Sequence, residues 1–253
     1  MSMLLFILIL IALWQGFYYL AVDVFEICKS YTVPSPIGVG QRFVDLLSDG
    51  TLLKATFNSL GRGIAGYAIA ILIGVIVGLL IHHFKYLQKN LKPMLLGLQT
   101  LPSVCWVPFS ILWFGLSTKA ILFVVVMGAT FSISISVDNA IKNVPPIYLK
   151  AALTMGAKKS QLYKDIILPA CLPELVSGLK QGWSFAWRAL MAGEVMTTSI
   201  GLGQTLITGR DLADINQVML VMLVIVLVGI LIDKCIFSAI EHRMLKKRGL
   251  LSE

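Results

Sequence analysis

The sequence predicts an all-α protein that crosses a membrane six times. Of its 253 residues, 57% are hydrophobic and 13% are charged, and the mean hydropathy is +0.86. That is more apolar surface than one soluble domain of this length usually buries. Six apolar runs are each long enough to cross a hydrocarbon core about 30 Å thick, which takes about 20 helical residues. The runs lie near residues 3–22, 57–81, 92–114, 119–138, 174–197 and 217–237.

The first run has no Arg or Lys in front of it and is longer than the core of a signal peptide. No clear small-x-small cleavage motif separates it from the polar segment that follows. We therefore expect residues 3–22 to be retained as the first membrane span.

The second run carries a small residue at every fourth position. Positions four apart lie on one face of a helix, and small side chains there let another helix approach to backbone contact, which is how helices gain packing energy in lipid. The sequence predicts a close-packing seam, whose partner helix belongs to the same chain or to a second copy. The seam consists of Gly66, Ala70, Gly74 and Gly78.

The third run, residues 92–114, contains Pro102 and Pro108. Each proline removes a backbone donor and frees a carbonyl, and at membrane depth such irregular backbone is tolerated only against protein or a water-filled path. The sequence predicts a kinked and partly polar helix, with Ser103 and Trp106 as candidates for the lining of a translocation path. The alternative is a structural kink whose freed carbonyls bond to neighbouring Ser and Thr side chains.

A polar, lysine-rich segment, about residues 139–173, separates the fourth and fifth runs. Small and flexible apolar residues recur there at helical spacing, which predicts a short helix that a soluble protein can hold. Gly156 can end this helix in a left-handed conformation, and Pro169 is expected to mark a corner before the fifth span. The alternative is an ordinary amphipathic loop. The candidate contact residues are Lys150, Ala151, Ala152, Met155, Gly156 and Ala157.

The fifth run, residues 174–197, holds Arg188 and Glu194, which are further candidates for a translocation path. An ionised arginine near the middle of a span costs about 2.5 kcal/mol or more, so we expect Arg188 to face a bundle interior or an aqueous cavity. The two residues lie on helix faces about 120° apart, so they do not pair within the helix. Arg188 either neutralises a passing anion or forms a structural ion pair with Asp138 or with Glu194 of a second copy.

Lysine and arginine are unevenly distributed between the loops. Because positive residues concentrate in cytoplasmic loops, both termini and the 139–173 segment are predicted to be cytoplasmic. The net charge of +8 is explained by this bias and by the attraction of basic residues to anionic lipid. It therefore does not indicate nucleic-acid binding. We expect His82 and His83 to anchor a span at the same interface. The basic residues on this side are Lys85, Lys89, Lys92, Lys142, Lys150, Lys158, Lys159, Lys164, Arg243, Lys246, Lys247 and Arg248.

The sequence offers no catalytic constellation. Paired carboxylates, a nucleophile with a base and a His/Glu metal cluster are all missing at workable spacing. Residues 156–160 lack the Gly-Lys-Ser/Thr order of a phosphate loop, so we expect no ATP binding by this chain. These absences disfavour an enzyme, whereas polar residues within the apolar runs favour a membrane transport protein. A stand-alone secondary transporter or channel is one alternative, and a membrane-embedded enzyme is the least favoured one.

Residues 150–169, KAALTMGAKKSQLYKDIILP, fit the pattern E-A-A-x3-G-x9-I-x-L-P at every fixed position except the first, where Lys150 replaces Glu. This segment resembles the cytoplasmic coupling loop of ABC importer permeases. Four further stretches are similar, in the same order, to the nitrate, sulfonate and taurine branch of these binding-protein-dependent permeases. They are Val33-Pro34-Ser35-Pro36, the segment from Pro108 to Gly115, Ala186-Trp187-Arg188 with Glu194, and Ile200-Gly201-Leu202-Gly203.

The resemblance implies a type I ABC importer permease fold, with residues 1–253 as a single transmembrane domain in a bacterial inner membrane. It also implies a homodimer, two cytoplasmic ATPase subunits docked on the coupling helices, and an extracytoplasmic solute-binding protein. ATP and Mg²⁺ then bind to the ATPase, and this chain holds no cofactor. Members of the branch carry nitrate, sulfonates, taurine, bicarbonate or heterocyclic vitamin precursors, and Arg188 favours an anion among these.

Overall fold

The structure describes residues 3–26, 29 and 31–247, and the regular secondary structure in these ranges consists of helices. This computed structural model contains no strand within those ranges. The helices are α1 (Met3–Tyr18), α2 (Pro36–Ser48), α3 (Thr51–His83), α4 (Lys85–Gln99), α5 (Val107–Phe114), α6 (Thr118–Lys142), α7 (Pro146–Thr154), α8 (Lys159–Gln161), α9 (Leu168–Val195), α10 (Leu202–Asp211), α11 (Ile215–Ile232) and α12 (Ala239–Lys247). Wider π turns follow α1 (Tyr19–Val24), α8 (Leu162–Ile167) and α11 (Asp233–Ser238), and a 3-10 turn (Ser103–Trp106) precedes α5.

Four helical segments among the described residues are long and apolar enough to cross a membrane, and they correspond to the predicted first, second, fourth and sixth spans. The predicted fifth span falls in α9, which has 28 residues and is interrupted by charged side chains. At 1.5 Å per residue α9 is about 42 Å long, so it can cross the hydrocarbon core, and this crossing stays a prediction. The four apolar segments are Leu5–Val24, Thr51–His83, Thr118–Lys142 and Ile215–Met244.

The predicted third span is broken and not merely kinked. Its two parts, Lys85–Gln99 and Ser103–Phe114, meet at an angle of 102°. Pro102 has an extended ψ of 136° and cannot donate to a helix, so α4 ends before it. Pro108 lies in the first turn of α5, where its missing N–H interrupts no hydrogen bond. One proline therefore causes the break and the other begins the next helix.

The chain divides into two compact units, and the first comprises Met1–Leu60 with Glu194–Val228. Ser35 caps α2 in this unit, because its Oγ accepts the Gly38 N–H at 3.0 Å while Pro36 occupies the first turn. The Ser35 N–H donates to Asn216 Oδ1 at 3.0 Å, which ties the start of α2 to α11. The Pro-Ser-Pro stretch that the sequence singled out is therefore a helix start anchored on a distant helix.

The second unit comprises Gly61–Gly193 with Gly229–Glu253, and the predicted seam lies inside it. Ala70 is fully buried, and the glycines of the seam pack against α6 of the same chain. A Cβ added to Gly78 would lie 2.6 Å from the Ser134 carbonyl oxygen, closer than real Cβ atoms approach. Small residues are thus required for this contact of α3 with α6. The contacting pairs are Gly66 with Val125, Gly74 with Ile133 and Gly78 with Val137.

Pro169 does not form the predicted corner. The chain turns before Lys159 and is helical from there to Val195. Pro169 lies in the first turn of α9, directly after the π turn Leu162–Ile167. The wider hydrogen-bonding pattern of that turn accommodates a residue without a backbone N–H, so the helix continues through the proline.

Candidate functional site

The lysine-rich segment contains α7, a short helix that ends at a left-handed glycine. Gly156 has φ +81°, a conformation that glycine adopts without steric cost. Its N–H donates to the Leu153 carbonyl at 3.0 Å, and the Ala157 N–H donates to the Ala152 carbonyl at 3.0 Å. These two bonds form a Schellman motif, which satisfies the last carbonyls of a helix. Gly156 thus ends α7 in the way that the sequence predicts.

The connection between α7 and the following helix is short. The Lys158 N–H donates to Gln161 Oε1 at 2.8 Å, and the Lys158 carbonyl accepts the Leu162 N–H at 2.9 Å. The next helix therefore begins at once, after a turn of only a few residues. Only residues 155–158 therefore separate α7 from the helix that ends at Val195.

α7 exposes large apolar side chains in a loop that is otherwise basic. Met155 is 86% exposed, and a groove of about 490 Å³ lies between α7 and the start of α9. Contiguous exposed apolar surface is typical of sites that contact another protein or a membrane. Ala152 is buried, so among the predicted contact residues it packs within the chain and holds α7 in place. The other exposed apolar residues on or beside α7 are Ile147, Tyr148 and Leu153, and Lys150 and Ala151 are exposed with them.

Arg188 lies on the exposed side of α9. Its neighbours Trp187 and Ala189 are buried, whereas the Arg188 side chain is exposed in this chain. Its Nε donates to the Ser184 carbonyl at 3.1 Å, and its guanidinium carbon lies 4.7 Å from the centroid of the Phe185 ring. The structure therefore presents this cation on a helix face that the chain itself leaves open.

Glu194 is fully buried in the first unit. Its Oε2 accepts from Ser59 Oγ at 2.7 Å and from the Gly203 N–H at 3.0 Å. Ser59 Oγ in turn accepts the Leu202 N–H at 2.8 Å. The carboxylate and the hydroxyl satisfy the first free N–H groups of α10, where the helix dipole also favours negative charge. The structure places Glu194 inside the unit as a helix cap, and not on the path-lining surface that the sequence suggested.

The Gly-Leu-Gly stretch after α9 is shaped by the same carboxylate. A Cβ added to Gly203 would lie 2.6 Å from Glu194 Cβ and 3.0 Å from the Val195 nitrogen. Gly201, in an extended conformation, precedes the helix as its N-cap residue. These glycines let the backbone approach the buried carboxylate. They are the sequence signal that could have identified Glu194 as a structural residue.

The predicted path residues of the broken third span lie in and beside the protein interior. Trp106 is half-buried, and its ring centroid lies 6.1 Å from that of Phe131. Ser103 is also half-buried, and a Cβ added to Gly128 would lie 3.5 Å from Ser103 Oγ and 2.7 Å from Ala189 Cβ. Ser103 therefore lies beside the contact of α6 with α9, where Gly128 meets Ala189. Trp106 instead fills the interior next to α6.

Asp138 is fully buried and bound by basic side chains of its own unit. Lys92 Nζ lies 2.6 Å and Lys142 Nζ 2.8 Å from Asp138 Oδ2, and His82 Nδ1 lies 3.5 Å from Oδ1. The carboxylate is thus bound by Lys92 and Lys142, and the alternative ion pair of Arg188 with Asp138 is not formed. A single carboxylate in an apolar span needs a basic partner. The presence of Asp138 in the fourth apolar run was therefore the sequence signal that could have predicted this cluster.

Comparison with known proteins places these features in a family. Residues 70–246 match the family described as binding-protein-dependent transport system inner membrane component. The chain is 31% identical to a putative ABC transporter permease of Methanocaldococcus jannaschii, over 76% of this chain and 72% of that relative. It is 27% identical to the putative aliphatic sulfonates transport permease protein SsuC of Bacillus subtilis, over 95% and 85%. It is 26% identical to the nitrate import permease protein NrtB of Synechocystis, over 81% and 78%.

The fold is also that of a solved importer. A chain of the inward-facing MetNI methionine ABC transporter matches with a TM-score of 0.64 and 20% identity, over 78% of this chain and 97% of that one. This likeness shows a type I ABC importer permease fold. The chain therefore belongs to the family of binding-protein-dependent transport system inner membrane components and is a permease component of an ABC importer.

Proposed function

We propose that two copies of this chain form the translocation path for a small anion, such as a sulfonate, taurine or nitrate. The observation that carries the proposal is the exposed guanidinium of Arg188 on a helix of membrane-crossing length. Two relatives named for aliphatic sulfonates and for nitrate support the same class of solute.

The position of Arg188 favours a path between two copies. The opposite side of α9 is filled by the chain's own aromatic side chains, where the Trp183 and Trp187 rings stack at 5.8 Å. The Arg188 side is left for a second copy or for water, because an arginine facing lipid at this depth costs about 2.5 kcal/mol or more. A cation held in a path of low dielectric raises the local concentration of a solute of opposite charge.

ATP-driven import requires ATPase subunits and a solute-binding protein, which permeases of this family work with. In the proposal, α7 docks on the ATPase through its exposed apolar side chains, and ATP with Mg²⁺ binds to that subunit. The side chain of Met155 is 86% exposed and is flexible enough to fit a cleft. Lys150 presents a positive charge beside this contact.

The proposed orientation puts both termini and α7 in the cytoplasm, with six spans crossing the membrane. Its support is the concentration of lysine and arginine on that side. Closure of the ATPases on ATP then brings the two α7 helices together, and each α9 moves with its α7 because the connection is short. ATP shifts the permease between states only through contacts that differ between those states.

Uptake by a reconstituted system tests the function. The permease is placed in proteoliposomes with its ATPase and binding protein, and uptake of labelled taurine, alkanesulfonate and nitrate is measured with and without ATP. We expect uptake of one of these anions only when all three proteins and ATP are present. Uptake by the permease alone, down a solute gradient, would contradict the proposal and favour a stand-alone transporter.

A further inference from the structure

A second groove, distinct from the one beside α7, lies at the C-terminal end of α3 and has a volume of about 760 Å³. One wall is the end of α3 from Ile76 to His83 with the adjoining Phe84, and the other is the helical segment 160–171 together with Ile141 of α6. Its volume is in the range of about 300–1,000 Å³ that is typical of small-ligand sites. Most of its lining side chains are apolar, so the ligand it fits has a substantial apolar part. The aliphatic lining residues are Ile76, Leu79, Leu80, Ile141, Ile167 and Leu168.

The ionisable side chains at the edge of the groove are basic or phenolic. Lys164, His82, His83 and Tyr163 line it, and within the described residues no Asp or Glu does. His82 Nδ1 is directed towards Asp138, at 3.5 Å from its Oδ1. Lys164 and His83 are exposed, so they are the groups available to a ligand. The basic side chains at this edge are complementary to a ligand with an anionic head group.

α3 is long and apolar enough to cross a membrane, and the groove lies at its C-terminal end. Ile76 is about 10 Å along α3 from His83, at 1.5 Å per residue, so the groove runs from the polar end of the span into its apolar part. A ligand there meets lipid on its apolar side and water at its polar end. An acyl chain against α3 and a phosphate near Lys164 match these two environments.

The groove is separate from the surface that docks a protein in the proposed function. Ser160, Lys164 and Ile167 line it from one face of the 160–171 segment, whereas Asp165 and Ile166 line the groove beside α7. We infer that an anionic phospholipid binds in the groove at the end of α3, with its acyl chain on the aliphatic wall and its phosphate at Lys164 and His83. The lipid contacts the helix that connects α7 to α9 on the side away from α7.

Photocrosslinking of a lipid probe tests this site. The assembled complex is placed in nanodiscs of phosphatidylcholine that contain phosphatidylglycerol with a diazirine on its acyl chain, and crosslinked residues are mapped by mass spectrometry. We expect crosslinks concentrated between Ile76 and Phe84 and between Tyr163 and Leu168. Diazirine-labelled phosphatidylcholine at the same content should give fewer crosslinks there.

Charge variants and a filling variant separate specific binding from general attraction to the membrane. Lys164→Gln and His83→Gln are the two groove variants. Lys164→Gln removes one positive charge and should lower crosslinking in the groove about fivefold, the factor that one lysine contributes near an anionic surface. Lys89→Gln is the control, because Lys89 is exposed at the same interface but does not line the groove. Leu80→Trp should exclude the acyl chain without altering charge.

The inference is overturned if phosphatidylcholine crosslinks in the groove as well as phosphatidylglycerol does, or if Lys89→Gln lowers crosslinking as much as the pair of groove variants. It is also overturned if crosslinks are spread evenly over the other exposed helix faces. The melting temperature of each complex, measured in the same nanodiscs, must match wild type for a loss of crosslinks to count in favour of the site.

Discussion

Ser59 and Glu194 lie 135 positions apart in the sequence, and the Ser59 hydroxyl donates to Glu194 Oε2 at 2.7 Å. The same hydroxyl accepts the Leu202 N–H, and the carboxylate accepts the Gly203 N–H. One serine and one glutamate thus join α3, the end of α9 and the start of α10 in a single buried network. Such a network is stable only when each of its members is satisfied.

Removing the carboxylate should destabilise the protein. In Glu194→Ala the Gly203 N–H loses its buried acceptor and Ser59 loses its own, so we expect a loss of about 2 kcal/mol or more. Thermal unfolding of the purified permease measures this change. Glu241→Ala is the control, because Glu241 is exposed on α12. If the Glu194→Ala protein is as stable as wild type and fails only in uptake, the structural role is wrong and Glu194 acts in the translocation path.

The seam between α3 and α6 predicts opposite effects for two glycine substitutions. Gly78→Ala places a Cβ 2.6 Å from the Ser134 carbonyl oxygen, so overpacking should cost about 1–3 kcal/mol. Gly97→Ala meets nothing within 4 Å in α4, and its higher helix propensity should add up to about 1 kcal/mol. Thermal unfolding of both variants compares them. Equal stabilities would contradict the seam.

At the end of α7 we expect the backbone conformation of residue 156, and not the size of its side chain, to decide which residues can replace Gly156. A Cβ there meets nothing within 4 Å of this chain, but φ is +81°. Gly156→Leu should therefore strain the turn by about 1–2 kcal/mol and lower ATP-driven uptake, whereas Gly156→Asn should retain most of it, because asparagine tolerates this region. The measurement is uptake per ATP hydrolysed in proteoliposomes. Wild-type coupling in the leucine variant would show that the left-handed turn is not needed for docking.

Local rules predicted part of the fold and of the candidate site. Gly156 ends its helix and the small residues of α3 form a close-packing seam, because both features depend on residues a few positions apart on one helix. The sequence left open which helix packs there, and the structure shows α6 of the same chain. The segment around α7 was also recognisable, since its apolar residues stand out among lysines. These features need no knowledge of distant parts of the chain.

The remaining features depend on distant contacts or on backbone geometry. Nothing near Glu194 in the sequence identifies Ser59 as its partner, and the Lys92 partner of Asp138 lies 46 positions away. The 102° break before α5 was underestimated, because a proline predicts an interruption but not its angle. The corner predicted at Pro169 was wrong, because the π turn before this proline lets the helix continue through it.

The continuous helix from Lys159 to Val195 predicts that its outer end moves when the ATPases close. In the proposed dimer, spin labels at Thr198, three residues beyond α9, report the distance between the two copies. We expect the distance distribution to change between nucleotide-free and ATP-trapped complexes, because α7 and α9 are joined without a flexible linker. An unchanged distribution in a complex that hydrolyses ATP would contradict this transmission of movement.

Substitution of Arg188 is the most direct measurement of the proposed anion path. Arg188→Met keeps much of the length of the side chain and removes its charge, and Arg188→Lys keeps the charge. ATP-driven anion uptake is measured for both in proteoliposomes, together with assembly of the complex and affinity for the binding protein. We predict that Arg188→Met lowers uptake at least about tenfold, the effect of about 1.4 kcal/mol, while assembly and affinity are unchanged and Arg188→Lys keeps part of the uptake. Loss of assembly in Arg188→Met, or full uptake by an assembled Arg188→Met complex, would contradict the proposal.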